Sequence, residues 1–236
     1  MNISIVGAGR AGISFALALR DVGHRVELRH HDELGSFNGV ELILLCVPDD
    51  EIARVASLIR AGEYVLAHVA GSRTLEVLAG HARVGSLHPL VTMPTGAIGA
   101  RRLVGATYCV DGDDLVGRLV ASLHGRAISL RDDQRTLYHA TATVASNHVV
   151  ALMGQVQRLA EAAGLALEDF LDLSRQALED VAALGPQGAL TGPASRGDLA
   201  TIDAHLCAMA SDERATYVAL ANAAFDLAQR RLVGSA

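Results

Sequence analysis

A doubly wound α/β domain with a mainly parallel sheet, followed by an all-helical domain, is the fold class the sequence predicts. Three observations carry that expectation. The chain opens on a short apolar run, Asn2 to Val6, followed at once by Gly7-Ala8-Gly9-Arg10-Ala11-Gly12 and a helical pattern over 13–22. As far as about residue 130, short apolar runs alternate with helical stretches, as parallel strands joined by crossovers require. From Asp132 onward the pattern is helical and alanine-rich, and no strand signal follows. The expected division is therefore 1–131 and 132–236.

The first strand, glycine turn and helix form the Rossmann dinucleotide fingerprint in its required context. Gly7 makes the tight turn, Gly9 lets backbone approach a pyrophosphate, and Gly12 lets the helix pack on the strand. The amides from Ala8 through Ala11 then face the phosphates, where the helix dipole favours negative charge. Gly23-His24 closes the helix and residues 25–29 (RVELR) form the second strand. An acid at its end would bind the ribose hydroxyls of NAD, but His30 stands there, between Arg29 and His31. Positive charge suits the 2′-phosphate of NADP. If Asp32 takes the acid's place instead, the cofactor is NAD.

Residues 32–41 are too few for a full crossover helix, so the second crossover is trimmed to a loop. Residues 42–47 make a buried parallel strand, and a helix follows over 51–59. Val47 and Pro48 at the strand's carboxyl end border the cofactor crevice. Asp49 and Asp50 are read as residues that favour the positive end of that helix. Further strands are expected at 64–69, 84–87, 106–110 and 127–130, with helices at 73–79 and 113–123 and a loop from 90 to 102. In the second half, one long helix over 132–163 stops at Gly164, and others cover 167–184, 198–209 and 211–232. The segment 185–197 reads as a Gly- and Pro-rich loop, and Asp198 as the cap of the helix after it.

Composition excludes several chemistries. All 20 basic residues are Arg, so a Schiff base, a P-loop lysine and a lysine acid are impossible. A net charge of −6 with scattered arginines argues against a nucleic-acid surface. Cys46, Cys109 and Cys207 have no zinc or redox spacing and read as reduced thiols of a cytoplasmic protein. The histidines also lack metal spacing, so no metal is expected. The chain enters a strand directly, without a signal peptide, and its longest strongly apolar run, 42–47, cannot span a bilayer.

Two segments point to the ligand end of the sheet. One is Ser86-Leu87-His88-Pro89. The other is the helix face formed by His139, Thr143, Ser146 and Asn147, at i, i+4, i+7 and i+8. Thr143 and Ser146 could simply bond back to the helix backbone, whereas His139 and Asn147 need partners of their own. His88 reads equally as a loop histidine bonded to a carbonyl. His24, His68, His81, His124, His148 and His205 are read as structural. Arg196, just before a helix start, and Thr191 in the same loop could hold a substrate carboxylate.

Several blocks in order extend the reading across nearly the whole chain: residues 7–12 (GAGRAG), 44–52 (LLCVPDDEI), 68–78 (HVAGSRTLEVL), 85–94 (GSLHPLVTMP), 137–152 (LYHATATVASNHVVAL) and 189–198 (ALTGPASRGD). Together they resemble the bacterial reductases that join a Rossmann-like domain to a domain of unknown function. These belong to the superfamily with a 6-phosphogluconate-dehydrogenase-like C-terminal domain. Ketopantoate reductases, pyrroline-5-carboxylate reductases and β-hydroxyacid dehydrogenases are relatives by fold, and His88-Pro89 is similar to a prephenate-dehydrogenase motif. The resemblance implies an NAD(P)-dependent oxidoreductase with a helical substrate and dimerisation domain. Its implied substrate is a small 2-oxo acid such as ketopantoate. A pyrroline-type imine, oxidation of a prephenate-like acid, and a non-catalytic nucleotide-binding role are the alternatives. There is one departure. Relatives carry a Lys four residues before an Asn, and here Thr143 stands four before Asn147. His139 or His88 would then supply the proton, with Asn147 helping to hold the carbonyl.

Overall fold

The structure is a computed structural model that describes residues 1–32 and 34–233. Two compact units divide the chain, Met1–Ser146 and Asn147–Ala236.

The first unit is built on a seven-stranded sheet. Its strands are β1 (Asn2–Val6), β2 (Arg25–Arg29), β3 (Leu42–Leu45), β4 (Val65–His68), β5 (Val84–Pro89), β6 (Thr107–Gly112) and β7 (Arg126–Ile128). They lie in the order β2-β1-β3-β4-β5-β6-β7. All neighbours are parallel except β5 and β6, which run antiparallel. This is the expected Rossmann-like, mainly parallel sheet. The chain turns from β1 to β2 on one side and then to β3 on the other, and that reversal opens the ligand crevice in such sheets. Among the described residues, the β2–β3 connection contains no helix.

Both faces of the central strands are buried, which explains their continuous apolar runs. One face packs Ile3, Ile5, Leu42 and Leu44 against Phe15 and Leu19 of helix α1 (Arg10–Asp21). The other packs Val6, Ile43 and Leu45 against Ile52 and Val55 of α2 (Ile52–Leu58). Full burial of each such side chain contributes about 1.5–3 kcal/mol.

The stretch expected as a loop at 90–102 contains a helix instead, α3 (Gly96–Leu103), capped by Thr95, whose hydroxyl accepts from the Ile98 amide. Its glycines are contacts, not breakers. A Cβ on Gly96 would overlap Ile13, and one on Gly99 would overlap Ser14. Tight packing on α1 therefore outweighs glycine's poor helix propensity. Helix α4 (Asp114–Ser122) is capped by Asp113. The segment around 73–79 forms a single 3₁₀ turn, Leu75–Leu78.

The helical stretch after Asp132 comprises a 3₁₀ turn (Asp132–Gln134), α5 (Arg135–Thr143), a π turn (Val144–His148) and α6 (Val149–Ala162). The second unit continues with α7 (Glu168–Ala189), α8 (Gly192–Arg196), α9 (Leu199–Ala208) and α10 (Ser211–Val233). The expected loop over 185–197 is thus mostly helical. Gly185, at φ 72°, lets the chain kink, and Pro186 and Pro193 then sit where helical turns restart. Asp198 caps α9 as expected, accepting from the Thr201 amide. Among the described residues of the second unit, Gln155, Ala160, Ile202 and Glu213 alone are buried. Arg158 holds the Glu213 carboxylate through Nε and Nη2, and Gln155 donates to the Glu213 carbonyl.

Candidate active site

The glycine turn has the geometry its sequence demands. Gly7 adopts φ 114°, and a Cβ there would overlap the Cys46 carbonyl oxygen and lie 3.2 Å from Val47 Cγ1. A Cβ on Gly12 would overlap the carbonyl oxygen of Gly7. Gly9 differs: it is extended (φ −77°, ψ −172°), exposed, and no atom of the described residues lies within 4 Å of its Cβ position. Two glycines are therefore required by the protein's own packing, while the space at Gly9 is open to a ligand. No side chain caps α1 and no acid occupies its first turn, so the first-turn amides of Arg10, Ala11 and Gly12 remain available. These residues fit a dinucleotide pyrophosphate.

At the end of β2, Arg29 is mostly committed. Its guanidinium donates to the Leu34 carbonyl (2.5 Å) and to Glu27 (2.6 Å) and lies 4.6 Å from the Phe37 ring centre. Its Nε is buried without a partner among the described residues. His30 and His31 are exposed beside it.

A second cluster forms where β4 and β5 end and α5 begins. His88 Nδ1 lies 2.8 Å from the Tyr138 hydroxyl, with the rings edge to face at 5.5 Å. The His139 ring also lies against His88, with centroids 6.1 Å apart and the rings edge to face. Both imidazoles rest on Gly71, where a Cβ would come within 3.0 Å of His88 Nδ1 and His139 Cδ2. Glycine there is thus the floor of the cluster. Beside it, Ser72 Oγ donates to Asp49 (3.0 Å), tying the loop after β3 to the loop after β4. Asp49 makes no capping bond to α2 and lies outside its first turn.

The start of α5 is pinned by Arg135, which is 1% exposed. It donates to Asp111 on β6 (2.7 Å) and to Asp132 (3.1 Å). Tyr138 and His139 follow at i+3 and i+4 and so share its face. That spacing was the sequence signal for Arg135 and Tyr138. Gly71 and Asp49 gave no signal, because they reach the cluster only through the sheet.

Burial sets the protonation states. His68, fully buried on β4, donates from Nε2 to the Thr74 carbonyl (3.4 Å) and accepts the Ala70 amide at Nδ1 (3.2 Å). Desolvation lowers its pKa to about 4. Its bonds to backbone on both sides suit the structural role expected of it. His88 is lowered to about 4 by desolvation, then by His139, with Asp49 opposing. Burial pushes the Tyr138 hydroxyl up. The unfolded chain therefore takes up these two histidine protons first. Stability should be complete above the ordinary histidine value of 6.5 and fall as pH drops towards 4, with His68 alone contributing up to about 3 kcal/mol. Melting temperatures measured between pH 7.5 and 5 should decline below 6.5, and a flat profile would contradict these protonation states.

The remaining candidates are arranged as follows. Thr143 Oγ1 donates to the His139 carbonyl (3.0 Å) and Ser146 Oγ to the Ala142 carbonyl (2.7 Å), so both hydroxyls bond back to their helix. Asn147 lies in the π turn, a device frequent at functional sites. In the second unit, Thr191 precedes α8 and lines an apolar cavity of about 350 Å³ with Leu152, Leu159, Ile202 and Leu220. Arg196 is exposed, and its guanidinium makes no hydrogen bond or ion pair among the described residues. No group of three or more His, Cys, Asp or Glu among the described residues could hold a metal. Among them, too, no helix is long and apolar enough to cross a membrane.

Comparison with known proteins agrees with this architecture. A family model described as "Domain of unknown function (DUF2520)" matches residues 107–224. No curated protein matches the chain. Among solved structures, a Bacteroides fragilis protein designated an NADP oxidoreductase superposes with a TM-score of 0.79 at 22% identity, covering 95% of this chain and 98% of that one. A reductive aminase from Aspergillus terreus, in complex with NADPH and ethyl-5-oxohexanoate, gives 0.67 at 14% identity over 94% and 93%. A pyrroline carboxylate reductase from Plasmodium falciparum with NADP bound gives 0.62 at 12% identity over 98% and 96%. At these identities the likeness is one of fold.

Proposed function

The chain belongs to the family of the domain of unknown function DUF2520, and from that premise we propose that it is an NADP-dependent reductase of a small, carboxylate-bearing C=O or C=N compound. The observation that carries this reading is the open Cβ space at Gly9, between two glycines that the protein's own packing requires. Gly7, Ala8, Gly9, Arg10, Ala11 and Gly12 would hold the pyrophosphate, with Val47 and Pro48 beside it. Arg29, His30 and His31 would hold the 2′-phosphate, which favours NADP over NAD. The similar folds crystallised with NADP or NADPH support the same choice. When bound, the cofactor supplies the hydride.

The chain's own residues would do the rest. His88 and His139 present two imidazoles side by side on bare backbone, and no ring nitrogen of His139 is hydrogen-bonded among the described residues. His139 would donate the proton to the reduced oxygen or nitrogen. Asn147, Thr143 and Ser146 would orient the substrate, and Arg196 and Thr191 would hold its carboxylate. The functional division proposed is nucleotide binding by 1–131 and substrate binding and dimerisation by 132–236. The exposed Leu173, Leu178 and Leu184 of α7 support dimerisation, being 64%, 60% and 64% exposed.

A 2-oxo acid such as ketopantoate is the substrate proposed from the sequence resemblance. A cyclic imine is the second reading. It is favoured by the missing lysine, because an imine can arrive already protonated, and by the folds of the aminase and the pyrroline carboxylate reductase. Purified protein should bind NADPH more tightly than NADH and oxidise it with one of these two substrates. Light scattering of the same sample should give twice 24.7 kDa. Binding of neither nucleotide would sink the proposal.

A further inference from the structure

The two imidazoles at the candidate site are not equivalent, and the difference traces to one tyrosine. We propose that Tyr138 is a positioning residue: its hydroxyl donates to Nδ1 of His88 and fixes the tautomer with the proton on Nε2. His88 then acts as a neutral hydrogen-bond donor to the substrate's C=O or C=N. This deepens the reductase reading and rests on it for the substrate, but the tautomer itself does not.

The Tyr138 hydroxyl and His88 Nδ1 are 2.8 Å apart. Two proton arrangements are possible across it. A phenol is the better acid and a poor acceptor, while a bare imidazole nitrogen is a good acceptor, so O–H···N is the stronger bond. The alternative, N–H···O, would spend the ring's proton on a weak acceptor and leave Nε2 bare.

Surroundings keep both partners neutral. Burial holds the phenol protonated and the imidazole unprotonated. The groups facing the pair point the same way on balance. His139 and His68 disfavour a positive charge on His88, and Asp49 opposes them. Arg135, one turn before Tyr138 on α5, favours the phenolate, but burial outweighs it. A neutral ring with Nδ1 occupied carries its proton on Nε2, and Nε2 makes no hydrogen bond among the described residues. A neutral imidazole used as an electrophile is a recognised solution where a charged one would be costly to bury.

The test is nitrogen NMR on protein labelled with ¹⁵N-histidine, with His88 assigned by loss of its signals in His88→Gln. In the unsubstituted protein at pH 7, His88 should show a protonated Nε2 and a bare, hydrogen-bonded Nδ1. In Tyr138→Phe the Nδ1 signal should move towards that of a mixed tautomer. The same variant should bind NADPH as before and lose about ten- to a hundredfold in kcat, with KM changed far less. An Nδ1–H tautomer or an imidazolium at pH 7 in the unsubstituted protein would overturn the proposal. An unmoved Nδ1 signal in Tyr138→Phe would overturn it as well. Absence of turnover with every carbonyl and imine tried would instead count against the reductase reading, and the NMR result would still decide the tautomer.

Discussion

Gly9→Val should fold as well as the unsubstituted chain and lose NADPH. The backbone at Gly9 is extended, a conformation any residue adopts, and its Cβ position has no atom of the described residues within 4 Å. The melting temperature should therefore stay within about 2 °C. A valine there would occupy the space through which a pyrophosphate must approach the first-turn amides of α1. Losing one or two charge-assisted hydrogen bonds costs about 3 kcal/mol or more, at least a hundredfold in Kd. Gly12→Ala is the control with the opposite signature. Its Cβ would collide with the Gly7 carbonyl, so stability and binding should fail together. Nucleotide titration beside a thermal melt separates the two cases. Unchanged NADPH affinity in Gly9→Val would mean that the turn does not hold a pyrophosphate.

The second large effect is expected at His139, the proposed proton donor. His139→Ala should lower kcat by about 10²–10⁴-fold, the usual contribution of a positioned acid. NADPH affinity should change little, because the ring lies at the β4–β5 end of the sheet and not at the glycine turn. Stability should also hold, since the ring makes no hydrogen bond among the described residues. His88→Ala should cost less in kcat, as the loss of one neutral donor. Stopped-flow measurement of NADPH oxidation in single turnover reads both without interference from product release. If both substitutions leave the rate unchanged, the donor lies elsewhere.

How much of this was legible before the structure depends on how locally each feature is encoded. The tight turn at Gly7 and the close packing at Gly12 follow from φ and close approach within a few residues, and both are legible in the motif. The trimmed second crossover followed from counting residues between Asp32 and Glu41. Caps at Asp113 and Asp198 are equally local. The α3 helix is hidden in the sequence because Gly96 and Gly99 resemble breakers, and only the packing of Ile13 and Ser14 against them gives them their role. Asp49 reads as a helix-end residue because nothing in sequence links it to Ser72.

The sequence by itself determined that a glycine turn sits between a buried strand and a helix, that a mainly parallel sheet precedes a helical half, and that no lysine can serve as acid. Those properties reside in periodicity, backbone freedom and composition, which neighbouring residues define among themselves. What only the tertiary structure decided is which groups surround His88. Tyr138 lies 50 residues along the chain from it, and Gly71 and Asp49 come from other strand ends. Their meeting depends on the order in which strands are laid side by side, and strand order is a property of the packed sheet.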